Sequence, residues 1–265
     1  MMNKPDKPSA FPPMASSATE AIEQLQHYGI ALLPELLAGD ELQVAREAVY
    51  VGPEEDAREG RSADSFVLDY GEGNVRVWNL LSRGSVFCDM VEHPFAMEIL
   101  TALIGWPAIL GNFSANIAQP GSQGGALHAD QLFVPMPWPA EPQGINFAWL
   151  LDDFTADNGA TEVVLGSHAR TDPSEKPAAA PEPLIAPAGT VVAFESRVWH
   201  RTGNNRSDHP RAAAFAWYPK PIYRTQENWF LTLDDDVLEG ASDTLLTLLG
   251  YRTKGLGLVY GGSPR

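Results

Sequence analysis

The chain has 265 residues, enough for one domain with a sizeable hydrophobic core, and it carries a formal net charge of -16. This charge argues against a nucleic acid as partner, because phosphate binding relies on clustered Lys and Arg. Cys88 is the single cysteine, which excludes an intramolecular disulfide and favours a reducing cytoplasm, and no stretch approaches the ~20 apolar residues of a membrane helix, so no membrane partner is expected.

The N-terminal residues are polar and rich in proline. We expect residues 1–17 to form a flexible tail and residues 18–265 to form a single domain. Apolar residues recur at helical spacing over 19–28, and Gly29 follows where a helix can end. Residues 30–34 are then predicted to form a short strand.

A second helix is predicted to begin at Asp40 as its N-cap and to run to about Val49. The polar run 52–64 is expected to be a mobile loop, of the kind that often covers an active site. The segment 75–81 mixes large apolar groups with Arg76. It is predicted to be a strand or a short helix, in which Arg76 is either solvated or turned toward a ligand.

Helical periodicity returns over 86–103, where Pro94 should divide the segment into two helices. From residue 108 the pattern changes to strands. Residues 109–119 alternate loosely, with Asn112, Ser114 and Asn116 on one face. A polar inner face is typical of a cavity wall.

The central motif contains His128 and Asp130. If both lie on one strand, their side chains point to the same face. A second imidazole from His200 would complete a set of two histidines and one carboxylate. Such a set caps one face of an octahedral ion and leaves the other positions open, as suits non-haem Fe(II) and oxygen chemistry.

The stretch 133–142, which follows these ligands, is dominated by Pro, Trp and Phe. It is expected to line a substrate pocket or to close the mouth of the site. Phe133 and Trp138 within it, and Trp229 further on, are the predicted substrate contacts, although each is as readily accommodated in the core.

The second half of the chain is predicted to supply further strands and then helices. Residues 200–211 are expected to form a hairpin in which Thr202 faces Arg211, so that the arginine lies beside His200. Two short helices near the C-terminus either cover the strands or form the contact of a homodimer. The other predicted elements are strands at 145–151, 161–165 and 190–194, a loop at 172–187, and these helices at 234–239 and 243–249.

Taken in chain order, these motifs resemble those of the phytanoyl-CoA dioxygenase family of Fe(II)- and 2-oxoglutarate-dependent oxygenases, especially the branch that tailors secondary metabolites. The resemblance extends from about Glu20 into the C-terminal region. It is carried by His-Ala-Asp-Gln at 128–131, Leu-Asp-Asp-Phe at 151–154, Asn-Gly-Ala-Thr at 158–161, Gly-Ser-His at 166–168, Trp-His-Arg-Thr-Gly at 199–203, and Arg211.

The resemblance implies a mainly β fold with flanking helices, namely a double-stranded β-helix of the jelly-roll or cupin-like type, with its core at about 108–220. It implies that His128, Asp130 and His200 bind the iron and are the catalytic centre. It also implies that Arg211 holds the distal carboxylate of 2-oxoglutarate, because a guanidinium can donate two parallel hydrogen bonds to a carboxylate.

Three further residues match positions that contact the cosubstrate in that family: Thr202, Thr161 and, in a looser alignment, Arg76. Some relatives have a glutamine where this chain has Ala126, and Asn112 or Asn116 is expected to take its role. Asp130 occupies the position that a halogenating relative leaves open for chloride, so halogenation is not expected.

The predicted function is therefore oxidation of a small, partly hydrophobic metabolite with Fe(II), 2-oxoglutarate and O2, forming succinate and CO2. Hydroxylation, desaturation, ring formation and epimerisation all remain open as outcomes. Two alternatives also remain: a metal-dependent barrel enzyme without redox chemistry, such as an isomerase or lyase, and a catalytically silent protein that binds a small molecule. The other histidines, including His168, are expected to have structural or supporting roles.

Overall fold

The computed structural model describes residues 10–61, 73–170, 177–253 and 255–265. Part of the predicted tail is ordered. Met14 forms a parallel bridge with Leu32, and the Ala15 amide donates to the Leu32 carbonyl at 2.7 Å. Ala15 is buried in the core. The expectation of a flexible tail is therefore wrong for these residues, and its residues 1–9 lie outside the described part of the chain.

The first helix, α1 (Ala18–Tyr28), has the predicted bounds. The Ser17 side chain accepts a hydrogen bond from the Glu20 amide at its start, and Gly29 ends it with a φ of 81°, a conformation that favours glycine. Strand β1 (Ile30–Leu33) follows directly.

Helix α2 (Gly39–Arg58) is longer than predicted, and its N-cap is Ala38 rather than Asp40. The mobile loop predicted over 52–64 is thus wrong as far as Arg58, and residues 62–64 lie outside the described residues. Arg83 explains the extra length, because its side chain is 9% exposed and pairs with Glu55 and Asp56 at 3.2 and 2.6 Å. These long-range ion pairs hold a part of the helix whose local sequence favours a loop.

The remaining helices agree with the predicted pattern, except for one short helix at Trp229–Thr232 that was not predicted. Pro94 separates α3 (Ser85–Val91) from α4 (Pro94–Leu103), and His93 caps α4 by accepting from the Phe95 amide. The C-terminal helices are α5 (Trp229–Thr232), α6 (Asp235–Glu239) and α7 (Asp243–Leu248).

The strands form two antiparallel sheets. The larger sheet has six strands, in the order β1, β7 (Val191–Glu195), β4 (Gly144–Leu150), β9 (Arg211–Pro219), β3 (Asn112–Ala118) and β2 (Asn74–Val77). The smaller sheet has three, in the order β6 (Glu182–Pro183), β5 (Thr161–Val163) and β8 (His200–Thr202). Because β1 and β2 belong to the large sheet, the β core extends beyond the predicted 108–220.

The large sheet buries both of its faces. On β3, Phe113, Ala115 and Ile117 belong to the core beneath the helices. The opposite face joins the apolar side chains of the small sheet, for example Leu150 with Val163. Successive side chains of a strand point to opposite faces of the sheet, so each strand can contribute to both of these environments. The prediction of a mainly β, double-stranded β-helix with flanking helices is confirmed.

The predicted hairpin at 200–211 is wrong. Strand β8 pairs with β5, which places Thr202 opposite Thr161, whereas β9 pairs with β3 and places Arg211 opposite Ala118. The segment between them crosses from one sheet to the other. Asn205 holds this crossing, because its amide donates to the carbonyls of Ala118 and His209 at 2.8 Å.

The C-terminal segments have exposed apolar side chains, among them Leu231 and Tyr260. The predicted homodimer through these segments stays a prediction. Within the described residues, no helix has the length and apolar character to cross a membrane.

Candidate metal centre and cavity

The structure brings His128, Asp130 and His200 together, with one ligand atom of each within 4.8 Å of the others. His128 and His200 form a bridge in which each amide donates to the other's carbonyl, at 3.0 and 2.8 Å. Asp130 Oδ1 lies 3.8 Å from His128 Nε2 and 3.7 Å from His200 Nε2. The prediction that Asp130 lies on a strand with His128 is wrong. Asp130 begins a 3₁₀ turn over Asp130–Phe133.

Both imidazoles are fixed in the tautomer that a metal needs. His128 Nδ1 lies 2.9 Å from the Ala126 carbonyl, and His200 Nδ1 lies 3.0 Å from the Val198 carbonyl. A carbonyl only accepts, so each Nδ1 carries the hydrogen and each Nε2 presents its lone pair to the centre. Two such nitrogens and a carboxylate oxygen are a donor set that suits Fe(II).

Asn146 contacts the carboxylate ligand and was missed in the sequence. Its Nδ2 donates to Asp130 Oδ2 at 3.0 Å. It lies on β4, whose other residues are apolar, and its side chain points to the same face as Ala148 and Leu150. A lone amide in an apolar strand is the signal that would have found it.

The three ligands line a cavity of about 590 Å³, within the size range of small-molecule sites. The side chains of Phe215 and Trp217 on β9 form an apolar wall, and Leu132 and Phe133 lie at the partly exposed edge. Phe133 is 65% exposed, so the structure places this predicted substrate contact at the mouth.

Four buried amide side chains also face this cavity. The Oδ1 atoms of Asn112, Asn116 and Asn146 and the Nε2 atom of Gln131 have no hydrogen-bond partner among the residues that the structure describes. Leaving a buried polar atom unpaired costs about 1–3 kcal/mol. The cavity wall therefore has hydrogen-bonding capacity that is available to a ligand or to water.

The predicted cosubstrate residues group at one side of the cavity, which is lined by Thr161, Thr202, Asn116 and Arg76. Asn116 Nδ2 donates to Thr202 Oγ1 at 3.2 Å, and Thr161 is the cross-strand partner of Thr202. Arg76 is the cross-strand partner of Asn116 and donates to Ser114 Oγ at 3.2 Å. Hydroxyl, amide and guanidinium groups thus line the same cavity, and their shared binding of one carboxylate stays a prediction.

Arg211 lies deeper. It is fully buried, its guanidinium carbon is 4.4 Å from the centroid of the Phe154 ring, and Nη2 donates to the Gly159 carbonyl. It shares a face of β9 with Phe215 and Trp217, but it does not line the cavity in this structure. Its contact with the distal carboxylate of 2-oxoglutarate stays a prediction.

A polar cluster holds the start of β9 beside Arg211. Asp152 accepts hydrogen bonds from the Ala212 amide at 2.8 Å, from Tyr50 Oη at 2.5 Å and from Arg46 Nε at 2.6 Å. Burial, followed by the hydrogen bond to Asp152, raises the pKa of the Tyr50 phenol, so this tyrosine stays protonated as a donor. The Leu-Asp-Asp-Phe motif therefore contributes a structural anchor between α2 and β9.

Neither predicted tryptophan lines the cavity. Trp138 is 3% exposed, packs with Ala129 and Val164, and donates from Nε1 to the Val134 carbonyl. Trp229 is 1% exposed in the core below the helices and donates to the Leu110 carbonyl at 2.6 Å. Their assignment as substrate contacts is corrected, because the core takes both rings and satisfies both indole N–H groups.

His168 has the structural role that was expected. It is buried, its Nε2 lies 3.1 Å from the Gln26 carbonyl, and burial lowers its pKa. The ring therefore stays neutral near pH 7 and ties the segment after β5 to α1.

Comparisons with known proteins agree with this geometry. The sequence profile of the phytanoyl-CoA dioxygenase (PhyH) family matches residues 25–213. The dioxygenase af480 of Aspergillus fumigatus is 33% identical over 252 residues, covering 91% of this chain and 81% of that protein.

Solved structures show the same fold. One is the non-haem alpha-ketoglutarate-dependent carbocyclase SnoK from nogalamycin biosynthesis, with a TM-score of 0.64 and 20% identity, covering 85% of this chain and 98% of that one. Another is the epimerase SnoN from the same biosynthesis, with a TM-score of 0.60 and 19% identity, covering 86% of this chain and 92% of that one.

Proposed function

The chain belongs to the phytanoyl-CoA dioxygenase family, and we propose that it oxidises a small, partly hydrophobic metabolite with Fe(II), 2-oxoglutarate and O2, forming succinate and CO2. The observation that carries this proposal is the convergence of His128, Asp130 and His200 on one wall of a cavity of about 590 Å³. The donor set suits Fe(II), and three protein ligands leave positions for a chelating cosubstrate and for O2.

The roles of the residues follow from their places. His128, Asp130 and His200 would hold the metal. Bound Fe(II) and 2-oxoglutarate supply the activation of O2 that allows hydrogen to be removed from a C–H bond. Thr161 and Thr202 would bind the distal carboxylate of 2-oxoglutarate.

Three other residues would complete the cosubstrate site. Asn116 is placed to orient Thr202 through their hydrogen bond, and Arg76 to contribute positive charge beside them. Arg211 would reach the same carboxylate after a shift away from the Gly159 carbonyl.

The cavity wall supports the proposed class of substrate. Phe215, Trp217 and the edge residues Leu132 and Phe133 offer apolar contact, while Asn112 offers a neutral hydrogen-bonding group. A molecule with a mostly apolar body and a few oxygen-bearing groups satisfies both kinds of surface. We propose hydroxylation as the reaction, with desaturation, ring formation and epimerisation as the other outcomes that hydrogen removal allows.

Anaerobic titration of the protein with Fe(II) and 2-oxoglutarate tests the proposal. We expect a visible charge-transfer band from the chelate, and succinate once O2 is admitted. His128→Ala should abolish both, whereas His209→Ala, in which an exposed histidine distant from the cavity is replaced, should retain both. Absence of the band in the wild type would contradict the proposal and favour a non-redox metal enzyme or a silent binding protein.

A further inference from the structure

The three predicted metal ligands differ in how they are held. Each imidazole is oriented by a carbonyl two residues before it in the chain, Ala126 for His128 and Val198 for His200. Asp130 has no such local partner among the described hydrogen bonds, and its carboxylate is held by Asn146, which is 16 residues away on another element.

The two oxygens of Asp130 have separate partners. Oδ1 faces the two imidazole nitrogens at 3.8 and 3.7 Å, and Oδ2 accepts from Asn146 Nδ2 at 3.0 Å. A hydrogen bond to one carboxylate oxygen favours metal ligation through the other oxygen. The hydrogen bond from Asn146 would therefore favour one-oxygen ligation and keep open a position that two-oxygen ligation would fill.

Asn146 is well placed to impose this geometry. It is 8% exposed on β4, which lies between β7 and β9 in the large sheet. Asp130 begins a short 3₁₀ turn, and the next two side chains at the cavity edge, Leu132 and Phe133, are exposed. The asparagine thus connects a ligand on a short turn to an interior strand of the large sheet.

We propose that Asn146 is a positioning residue that fixes the rotamer of Asp130 and thereby sets metal affinity and coordination number. The inference rests on the proposed metal site and extends it to a strand that none of the metal ligands belongs to. A neutral amide suits this role, because a carboxylate in its place would repel Asp130 and an aliphatic side chain would release Oδ2 to the metal.

The backbone around Asp130 does not depend on Asn146. The Gln131 amide donates to the Ser196 carbonyl at 2.9 Å, and the Gln131 side chain accepts from the Gln143 amide at 3.2 Å. Removing the asparagine amide should therefore change the carboxylate without unfolding the segment, so a loss of metal affinity can be assigned to the side chain.

The test is Asn146→Leu, which keeps a similar volume but has no donor. Asn112→Leu is the matched control, because Asn112 lines the same cavity, is also buried, and occupies the position on β3 that pairs with Trp217 from the other side. Its amide bonds Gln226 instead of a metal ligand. Asn146→Ser, which is too short to reach Asp130, serves if the leucine variant does not fold.

The first readout is the affinity for Co(II), measured by calorimetry. We expect about a 10- to 100-fold weaker Kd in Asn146→Leu and less than a threefold change in Asn112→Leu. The second readout is the visible spectrum of bound Co(II), which reports coordination geometry and should change only in the Asn146 variants.

The outcomes distinguish the positioning role of Asn146 from the existence of the metal site. Wild-type affinity and an unchanged Co(II) spectrum in folded Asn146→Leu would overturn the positioning role while leaving the metal site intact. An equal loss in both leucine variants would also overturn it, since the effect would then come from the cavity wall in general. Failure of the wild type to bind Co(II) would refute the metal site itself.

Discussion

Glu227 is a buried carboxyl whose titration should control the stability of the wall beside the cavity. It is 6% exposed and accepts hydrogen bonds from the amides of Phe113 at 2.9 Å and Asn79 at 3.0 Å. Burial raises its pKa to about 7 from the ordinary 4.5, although both amides act in the opposite direction. The neighbouring Gln226 lines the cavity, so Glu227 anchors a functional segment.

The sign of the effect follows from proton linkage. The folded state holds the Glu227 proton more tightly than the unfolded state, so the stabilisation is complete below pH 4.5 and is lost as the pH rises through about 7. One pKa unit corresponds to 1.36 kcal/mol, so the wild type should lose about 2–3 kcal/mol from this group between pH 5 and pH 8.

Urea denaturation of the wild type and of Glu227→Gln at pH 5, 6, 7 and 8 measures this loss. The variant has one acceptor oxygen for two amide donors, so it should be less stable at pH 5 by about 1–3 kcal/mol. Because glutamine does not titrate, the difference in free energy of unfolding between the wild type and the variant should disappear or change sign by pH 8. Glu98→Gln, at an exposed glutamate of α4, is the control and should follow the wild type. Parallel pH profiles for the wild type and Glu227→Gln would refute the reasoning.

Three further predictions concern other parts of the molecule. Asp152→Asn should lower the free energy of unfolding by about 2–4 kcal/mol in thermal or urea melts. The reason is that the carboxylate that joins α2 to β9 loses its charge and part of its acceptor capacity. A loss below about 0.5 kcal/mol would contradict this role of Asp152. Asn116→Leu should weaken 2-oxoglutarate binding by about tenfold in calorimetry while leaving the Co(II) affinity unchanged, since it removes the partner of Thr202. Trp229→Phe should destabilise the fold by about 1–3 kcal/mol and leave the metal affinity at the wild-type value, because it removes the hydrogen bond to the Leu110 carbonyl from the core. A selective loss of activity with unchanged stability would instead support Trp229 as a substrate contact.

The parts of the site that depend on local spacing were predictable. His128 and Asp130 are two residues apart, so almost any extended backbone directs both side chains to one side. The order of the motifs then supplied His200. The grouping of Thr161, Thr202 and Asn116 was also accessible, although the pairing that produces it was predicted incorrectly.

The errors share one physical origin, which is that partners distant in sequence decided the outcome. Strands that follow one another in the chain usually pair or lie side by side, but here the chain crosses between sheets, and Thr202 pairs with Thr161 instead of Arg211. The length of α2 depends on Arg83, and no local pattern shows that ion pair. The partner of Asn146 was hidden for the same reason: the lone amide in an apolar strand marks the residue, but its contact with Asp130 depends on the fold.

The metal centre lies where the two sheets meet, and its ligands are connected to both of them. His200 belongs to β8 in the small sheet, and His128 is bridged to it. Asp130 is connected through Asn146 to β4 in the large sheet. An ion bound by all three ligands would therefore connect the small sheet to the large one through Asn146. On the side of the cavity that is predicted to bind the cosubstrate, Asn116 of the large sheet donates to Thr202 of the small sheet. Both connections pass through an asparagine of the large sheet, in addition to the apolar packing that joins the two sheets. Asn146 donates to the carboxylate of Asp130 and Asn116 donates to the hydroxyl of Thr202, and an apolar side chain at either position could not make these contacts.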